Sequence, residues 1–434
     1  MKILVIGSGG REHALVWKIA QSPKVSEIFC APGNAGTSQI AKNVDIAVED
    51  IDSLLKFAKD KHIDLTVVGP EIPLVLGIVD IFKSNGLKIF GPTKAAAQIE
   101  GSKVFSKKLM EKYGIPTAKY RSFTEEKPAK QYLKEIGAPV VVKADGLAAG
   151  KGVIVCKTIE EAEKAIERIL IDKEFKEAGL ELIIEECLVG EEASILSFSY
   201  GKTIIPMSSA QDHKRINDND EGPNTGGMGA YSPAPLVTKE LLAQIDREAL
   251  KPTILGMEKD GTPYSGILYV GVMVTKTGPK VLEYNARFGD PETQCILPRL
   301  KNDLVAIFEK IIEGRLIDVD LQWDPRPAVC VVMASGGYPG SYKKGIEITG
   351  LDVARELDDV IVFHAGTRLE NGKQKADPGV VTAGGRVLNV VGLGIDIKSA
   401  IVQAYKAVSC IKFDGMHYRK DIGHRALNHA ALEH

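Results

Sequence analysis

The stretch PVVVKADGLAAGKGVIVC, residues 139–156, sets a glycine- and alanine-rich turn between two runs of β-branched residues. Valine and isoleucine favour a pleated strand, and glycines favour the turn between them. A P-loop would lead from a strand into a helix. Here the turn leads into a second strand, so a hairpin is expected. Its tip can bury nothing of its own, which suits a cover closing over a triphosphate. Lys143 stands on the incoming strand, and solvation is the commoner fate of a lone lysine. The helix TIEEAEKAIERIL (158–170) and the strand LELIIEECLVGEEAS (180–194) follow, completing a small separate unit expected over residues 120–188.

Ahead of this unit, SKVFSKKLMEKYGIP (102–116) reads as an amphipathic helix closed by Gly114 and Pro116. The first hundred residues alternate strand-sized apolar runs (KILVIG, SEIFCAPG, DLTVVGPE) with helical patterns (REHALVWKIAQSP, IDSLLKFAKDKHI). Such alternation predicts a parallel sheet covered by helices on both faces, with ligands held where strands end and helices begin. GSGGREHA (7–14) occupies the first of these junctions. Amide groups at a helix N-terminus favour an anion. A dinucleotide fingerprint, however, wants a glycine where Glu12 stands and an acidic residue where the chain reads FCAPGN. No nicotinamide cofactor is expected, and Arg11 suggests a single phosphate group. A plain tight turn is the simpler alternative.

Downstream, DHKRINDNDEGPNTGGMGAYSP (212–233) is long, polar and short of anything to bury. Loops of that kind are functional or disordered. In VLEYNARFGDPE (281–292), strand alternation puts Glu283, Asn285 and Arg287 on one face, with Leu282, Tyr284 and Ala286 on the other. A carboxylate, an amide oxygen and a guanidinium together suit magnesium on a nucleotide with an anion alongside. A solvated strand face would show the same alternation.

The whole chain sets the outer bounds. At 434 residues it exceeds a single core, so about two to four domains are expected. Pro325 and Pro327 mark a boundary before a strand-rich end, giving expected domains over 1–101, 102–325 and 326–428. Residues 429–434 read as a remnant of cloning. A net charge of −2 gives no case for a nucleic-acid or membrane partner. The apolar runs are far short of a membrane span, and Met1 leads directly into a strand without room for a signal peptide. Six scattered cysteines without a C-x-x-C pair suggest reduced thiols in a cytoplasmic protein and no structural zinc.

Taken in order, GSGGREHA, VVKADGLAAGKGV, DHKR…GPNTGGMGAYSP, LEYNARFGDPETQ, VFHAGT, GGRVL and YRKDIGHRAL resemble the ATP-grasp ligases, and among them the phosphoribosylamine–glycine ligase family of purine biosynthesis. The likeness spans nearly the whole chain. Its last three motifs lie outside any nucleotide site and separate this family from other grasp enzymes. The resemblance implies a pre-ATP-grasp α/β domain, an ATP-grasp domain with a lid, and a strand-rich C-terminal domain. It implies ATP as substrate with Mg2+ or Mn2+, and small-molecule partners glycine and 5-phosphoribosylamine. A monomer or weakly associating homodimer is expected.

By the same resemblance, Lys103 and Lys143 reach ATP phosphates, with Gly150, Lys151 and Gly152 at the hairpin tip. Glu185, Glu186, Cys187 and Leu188 hold adenine, and Glu192 the ribose. Glu283 and Asn285 hold the metal. Arg287, Asp212 and Lys214 are the implied catalytic side chains, and Asn224, Thr225, Gly226, Gly227, Met228 and Asp290 line the substrate pocket. Gly9, Gly10, Arg11, Pro70 and Glu71 receive phosphoribosylamine. Two positions depart from the family pattern: Asn219 replaces a common glycine, and Cys295 a common proline. Asparagine tolerates positive φ, so the turn at Asn219 should survive. The implied reaction converts glycine's carboxylate to glycyl phosphate, which the amine of phosphoribosylamine then attacks. A related enzyme activating a different carboxylate, or a non-catalytic ATP sensor, are the alternatives.

Overall fold

The computed structural model describes residues 1–147, 152–370 and 379–432. Gly150 and Lys151 lie outside the described residues. The N-terminal sheet is all parallel, with strands in the order Lys42–Asn43, Glu27–Pro32, Lys2–Gly7, Leu65–Val68 and Ile89–Phe90. Along its first strand the side chains alternate between two cores. Ile3 and Val5 pack with Ala14, Leu15 and Ile19 of the helix Gly10–Ile19. Leu4 and Ile6 pack with Leu54, Ala58 and Phe82 from helices on the opposite face. The near-continuous apolar run KILVIG is what burial on both faces requires.

Residues 120–186 form a four-stranded antiparallel sheet in the order Tyr120–Phe123, Leu182–Glu186, Val140–Ala144, Val153–Cys156. The quoted hairpin is present, with Lys143 opposite Val153. Helices Glu126–Ile136 and Ile159–Leu170 pack on this sheet through Ala129, Leu133, Ala162, Ile166 and Ile169, giving the unit a core of its own. The expected strand over 180–194 is in fact two. Leu182–Glu186 belongs to this sheet, while Glu191–Tyr200 pairs with Ser265–Thr275 in the central sheet. The break falls at 187–190, where Gly190 lies so close to the Val274 carbonyl that no side chain would fit. An apolar run alone cannot reveal a change of sheet.

The central antiparallel sheet runs Thr203–Pro206, Glu191–Tyr200, Ser265–Thr275, Gly278–Asn285. A further sheet runs Gln211–Asp212, Gly229–Ser232, Ala328–Ala334, Arg386–Leu393, Val360–His364. The polar stretch 212–233 therefore corrects the expectation of an unburied loop. Its two ends are strands in the sheet of the C-terminal region, and His213, Met228, Ala230, Tyr231 and Ser232 are buried. Only its middle projects, as the short hairpin 215–224. Asn219 at the turn has φ of 59°, as its replacement of glycine anticipates. Helix His424–Leu432 continues past residue 428, and His429 Nε2 lies 3.1 Å from Glu191.

Arg299 ties the segment before Ala328 to the adjoining sheet. Only 4% exposed, it donates to the carbonyls of Arg326 and Asp324 at 2.8 and 3.2 Å and to the Ser232 hydroxyl at 2.8 Å. Burial lowers its pKa to about 10. Arg299→Ala would strand these acceptors, so a loss of about 3 kcal/mol is expected. A urea titration should show a clearly lower midpoint, and an unchanged midpoint would remove Arg299 from this role.

Candidate active site

One part of the candidate site forms where the 120–186 sheet meets the central sheet. Lys143 and Glu185 project from neighbouring antiparallel strands, 2.9 Å apart, and Lys143 Nζ also donates to the Leu282 carbonyl at 3.1 Å. Lys107 lies 3.1 Å from the same carboxylate and donates to Thr117 Oγ1 at 2.7 Å. Burial lowers the Lys107 pKa to about 8, against the pull of Glu185. No motif marks Lys107. Its signal is position alone, one turn after Lys103 on the helix Lys103–Lys112. Lys103 donates to the Gly146 carbonyl at 2.9 Å, and burial lowers its pKa. The Glu186 side chain turns away to Lys280 at 3.2 Å and accepts from the Lys119 amide. That leaves its backbone, with Cys187 and Leu188, beside Glu185 on the chain that crosses between sheets. Gly152 accepts from the Ala144 amide at 2.8 Å at the base of the hairpin.

Glu283 and Asn285 leave one face of strand Gly278–Asn285, with buried Tyr284 between them, as alternation predicts. Lys214 Nζ lies 3.0 Å from Glu192 and 3.6 Å from Glu283. Arg287 donates to Asn285 Oδ1 at 3.0 Å and lies 3.1 Å from Glu100 and 3.3 Å from Glu71. Burial pushes the Glu283 pKa up, but Lys214, Lys143, Lys103 and Arg287 outweigh it and hold the carboxyl below its ordinary range. Four cations thus converge on one carboxylate, a field suited to a metal-bound polyphosphate.

Other acids respond to burial differently. Burial raises the Glu100 pKa to about 7 despite Arg287, and the Ala286 amide donates to its carboxylate at 2.7 Å. Asp212 also rises to about 7 through burial, opposed by Lys214 and reinforced by Glu292, Glu192 and Glu283. Glu292, only 2% exposed, accepts from Tyr269 at 2.7 Å and Ser194 at 3.2 Å. Glu100 is invisible to motif reading, and Glu292 closes the stretch VLEYNARFGDPE with nothing local to distinguish it from a solvated glutamate.

The third part of the site surrounds the start of the first helix. Glu12 accepts from the Gly9 amide at 2.6 Å and from Arg11 Nε at 2.5 Å, and Arg11 donates to the Phe288 carbonyl at 3.2 Å. A methyl group at Gly7, Gly9 or Gly69 would collide with the Glu12 side chain. Glu12 therefore fills the space that a dinucleotide fingerprint keeps open. Gly10 packs against Asn389 and Gln294. Pro70 precedes the helix Glu71–Leu76, which brings Glu71 to Arg287.

Asp290 accepts from Gln294 at 2.8 Å and lies 3.3 Å from Arg386. Arg386 also donates to the Gly226 carbonyl at 2.7 Å and the Asp290 carbonyl at 2.8 Å, which ties the C-terminal region to the 212–233 segment. Gly227, at φ of 111°, lies against Pro291. Thr225 donates through both amide and hydroxyl to the Lys214 carbonyl at 2.8 Å, and Asn224 pairs with Arg215. The Met228 side chain is fully buried with Ile216 and Ala334, so it supports the loop from beneath. Cys295 is buried and donates to the Ala230 carbonyl at 3.1 Å. A cavity of about 880 Å³ lies at the mouth of this region, between Val153, Ile154, Asn217, Asn224, Tyr338 and His417, and the cluster around Glu283 does not line it.

Comparisons with known proteins agree along the chain. The phosphoribosylglycinamide synthetase N domain matches residues 1–100, its ATP-grasp (A) domain residues 101–293, and its C domain residues 328–425. A phosphoribosylamine–glycine ligase of Vibrio vulnificus is 54% identical over 98% of this chain and 99% of its own length. The crystal structure of phosphoribosylamine–glycine ligase from Thermotoga maritima superposes with a TM-score of 0.83 at 34% identity, covering 97% of this chain and all of that one. A biotin carboxylase from Campylobacter jejuni, at 16% identity and a TM-score of 0.72, shares the fold over 100% of this chain and 95% of its own. With all three family segments in sequence and a relative of this identity over nearly its full length, the chain belongs to the phosphoribosylglycinamide synthetase family.

Proposed function

We propose that the chain joins glycine to 5-phosphoribosylamine at the expense of ATP, forming glycinamide ribonucleotide, ADP and phosphate through glycyl phosphate. The observation that carries this reading is the placing of Lys214 3.6 Å from Glu283, Arg287 on Asn285 and Lys143 on the intervening strand's Leu282 carbonyl, beside a sheet with its own core. A carboxylate is a poor acylating agent, so its activation needs phosphoryl transfer, in which positioning and electrostatic stabilisation do most of the work. Lys103 and Lys143 are assigned to the ATP phosphates, with Lys107 and Lys143 holding Glu185 where adenine would bind. Glu192 is assigned to the ribose and Lys214 to the boundary between ATP and glycine. The 120–188 unit is the proposed lid, excluding water that would hydrolyse an acyl phosphate.

Glu283 and Asn285 would hold a divalent metal, Mg2+ or Mn2+. The donor set fits, because both are oxygen ligands on one face and their present partners, Lys214 and Arg287, are cations a metal can replace. When bound, the metal would neutralise phosphate charge. Arg287 is assigned to the developing acyl phosphate, with Glu71 and Glu100 fixing its guanidinium. Gly9, Gly10, Arg11, Pro70, Glu71 and Asp290 are assigned to phosphoribosylamine, and the 212–229 segment to glycine. Among the described residues no helix is long and apolar enough to cross a membrane, and we place the reaction in the cytoplasm.

Glu283→Gln should abolish turnover while leaving metal-free ADP affinity within about twofold, since adenine is assigned to the 185–188 segment. Calorimetry with ADP and a coupled assay at low magnesium test this. Normal turnover at low magnesium would sink the metal assignment.

The two arginines should separate the ends of the site. Arg11→Ala should raise the KM for phosphoribosylamine about ten- to hundredfold, the cost of one charge-assisted bond, and leave those for glycine and ATP nearly unchanged. Arg287→Ala should fall mainly on kcat, because its contact develops in the transition state. Steady-state series varying each substrate distinguish them. A rise in the KM for ATP in the Arg11 variant would invert the map.

A further inference from the structure

The hairpin 215–224 pairs only with itself, and a two-stranded ribbon is marginal in water on its own. Yet Lys214, which reaches Glu192 and Glu283, sits at its base. The segment 417–425, near the end of the chain, grips this hairpin at every level. His417 Nε2 is 2.8 Å from the Ile216 carbonyl. Arg419, fully buried, forms a fork on Asp421 at 2.8 and 2.7 Å and donates to Asp220 at 2.9 Å and the Arg215 carbonyl at 3.2 Å. Arg425 donates to the other Asp220 oxygen at 2.6 Å. Asp421 and Asp218 accept from the amides of Asn219 and Lys420 at 2.9 and 2.7 Å. The Gly423 amide donates to His213 Nε2 at 3.2 Å, directly between Asp212 and Lys214.

We infer that Arg419 is a positioning residue for the ligation, acting through Asp220 to fix the hairpin and thereby the reach of Lys214. Three features make the link specific. The turn is held at both Asn219 and Asp220 with φ near 59° and 56°, a conformation that needs outside support for a non-glycine pair. Asp220 sits between two arginines, so its orientation is set by the tail and not by the hairpin. Thr225 then closes the base of the hairpin onto the Lys214 carbonyl through amide and hydroxyl. A bidentate guanidinium supplies geometry that an ammonium cannot. Arg419 touches none of the groups assigned to ATP, so its effect must pass through the hairpin.

The inference rests on Lys214 facing glycine, and the test separates the two. In the full-length protein, Arg419→Lys, Asp220→Asn and Lys214→Met are compared for kcat, for the KM of glycine and of ATP, and for ADP affinity. Arg419→Lys and Asp220→Asn should each raise the KM for glycine about tenfold, with ADP affinity and the KM for ATP within about twofold, following the pattern of Lys214→Met. Arg419→Gln combined with Asp220→Asn should recover part of the loss, because two amides can pair where a lone buried charge cannot. If Lys214→Met acts on ATP instead, the glycine assignment fails, and the inference stands only if both clamp variants shift with it. Clamp variants that keep wild-type constants while Lys214→Met loses activity would overturn it. So would equal losses for every substrate and for ADP, the mark of general unfolding. Should Arg419→Lys not fold, Asp220→Asn on the partly exposed turn decides the matter.

Discussion

A carboxylate among cations organises this protein. Glu283 is kept ionised by Lys103, Lys143, Lys214 and Arg287, and most of those cations are held in turn by a second acid. Lys143 leans on Glu185, Lys214 on Glu192, and Arg287 on Glu71 and Glu100. Cations so close repel one another, and only the interleaved acids make the cluster tolerable inside a protein. The acids come from the N-terminal helix Glu71–Leu76, the helix Lys94–Gly101, the 120–186 sheet and the central sheet. The site therefore exists only when these layers are docked. A ligand carrying metal and phosphate would exchange these internal pairs for its own.

The same economy governs the first strand–helix junction. Glu12 turns a glycine-rich loop into a packed corner, capping Gly9 and bracing Arg11 against Phe288. The C-terminal region closes the corner from the other side. Arg386 binds Gly226 and Asp290, and His364 donates its amide to His13 Nδ1 at 2.8 Å. A region without any residue assigned to ATP thus holds the 212–233 segment at Gly226 through Arg386 and at Asp220 through the tail. GGRVL and YRKDIGHRAL thus carry the side chains that hold the 212–233 segment, while VFHAGT meets the first helix at His13.

Much of the fold was legible locally. The parallel sheet follows from alternating strand and helix patterns, the hairpin from glycines between β-branched runs, and the face shared by Glu283 and Asn285 from strand alternation. Where reading failed, the cause was long-range. The run 180–194 reads as one strand but is two, because the change of sheet depends on Gly190 meeting Val274. The stretch 212–233 looked unburied because its partners, Ala328–Ala334 and the 417–425 segment, lie a hundred or more residues away.

Sequence by itself determined the alternating elements of the first sheet, the 139–156 hairpin, and the face shared by Glu283 and Asn285, since each rests on spacing within a few residues. Tertiary structure alone decided which lysines and glutamates leave solvent. Lys107, Glu100, Glu292 and Arg419 look like ordinary surface charges in the sequence, yet Lys107, Glu292 and Arg419 are buried and Glu100 partly so, and each finds its partner on another element. Burial is a property of the packed chain. The cost of burying a charge without a partner is what forces those pairings, and with them the site, into place.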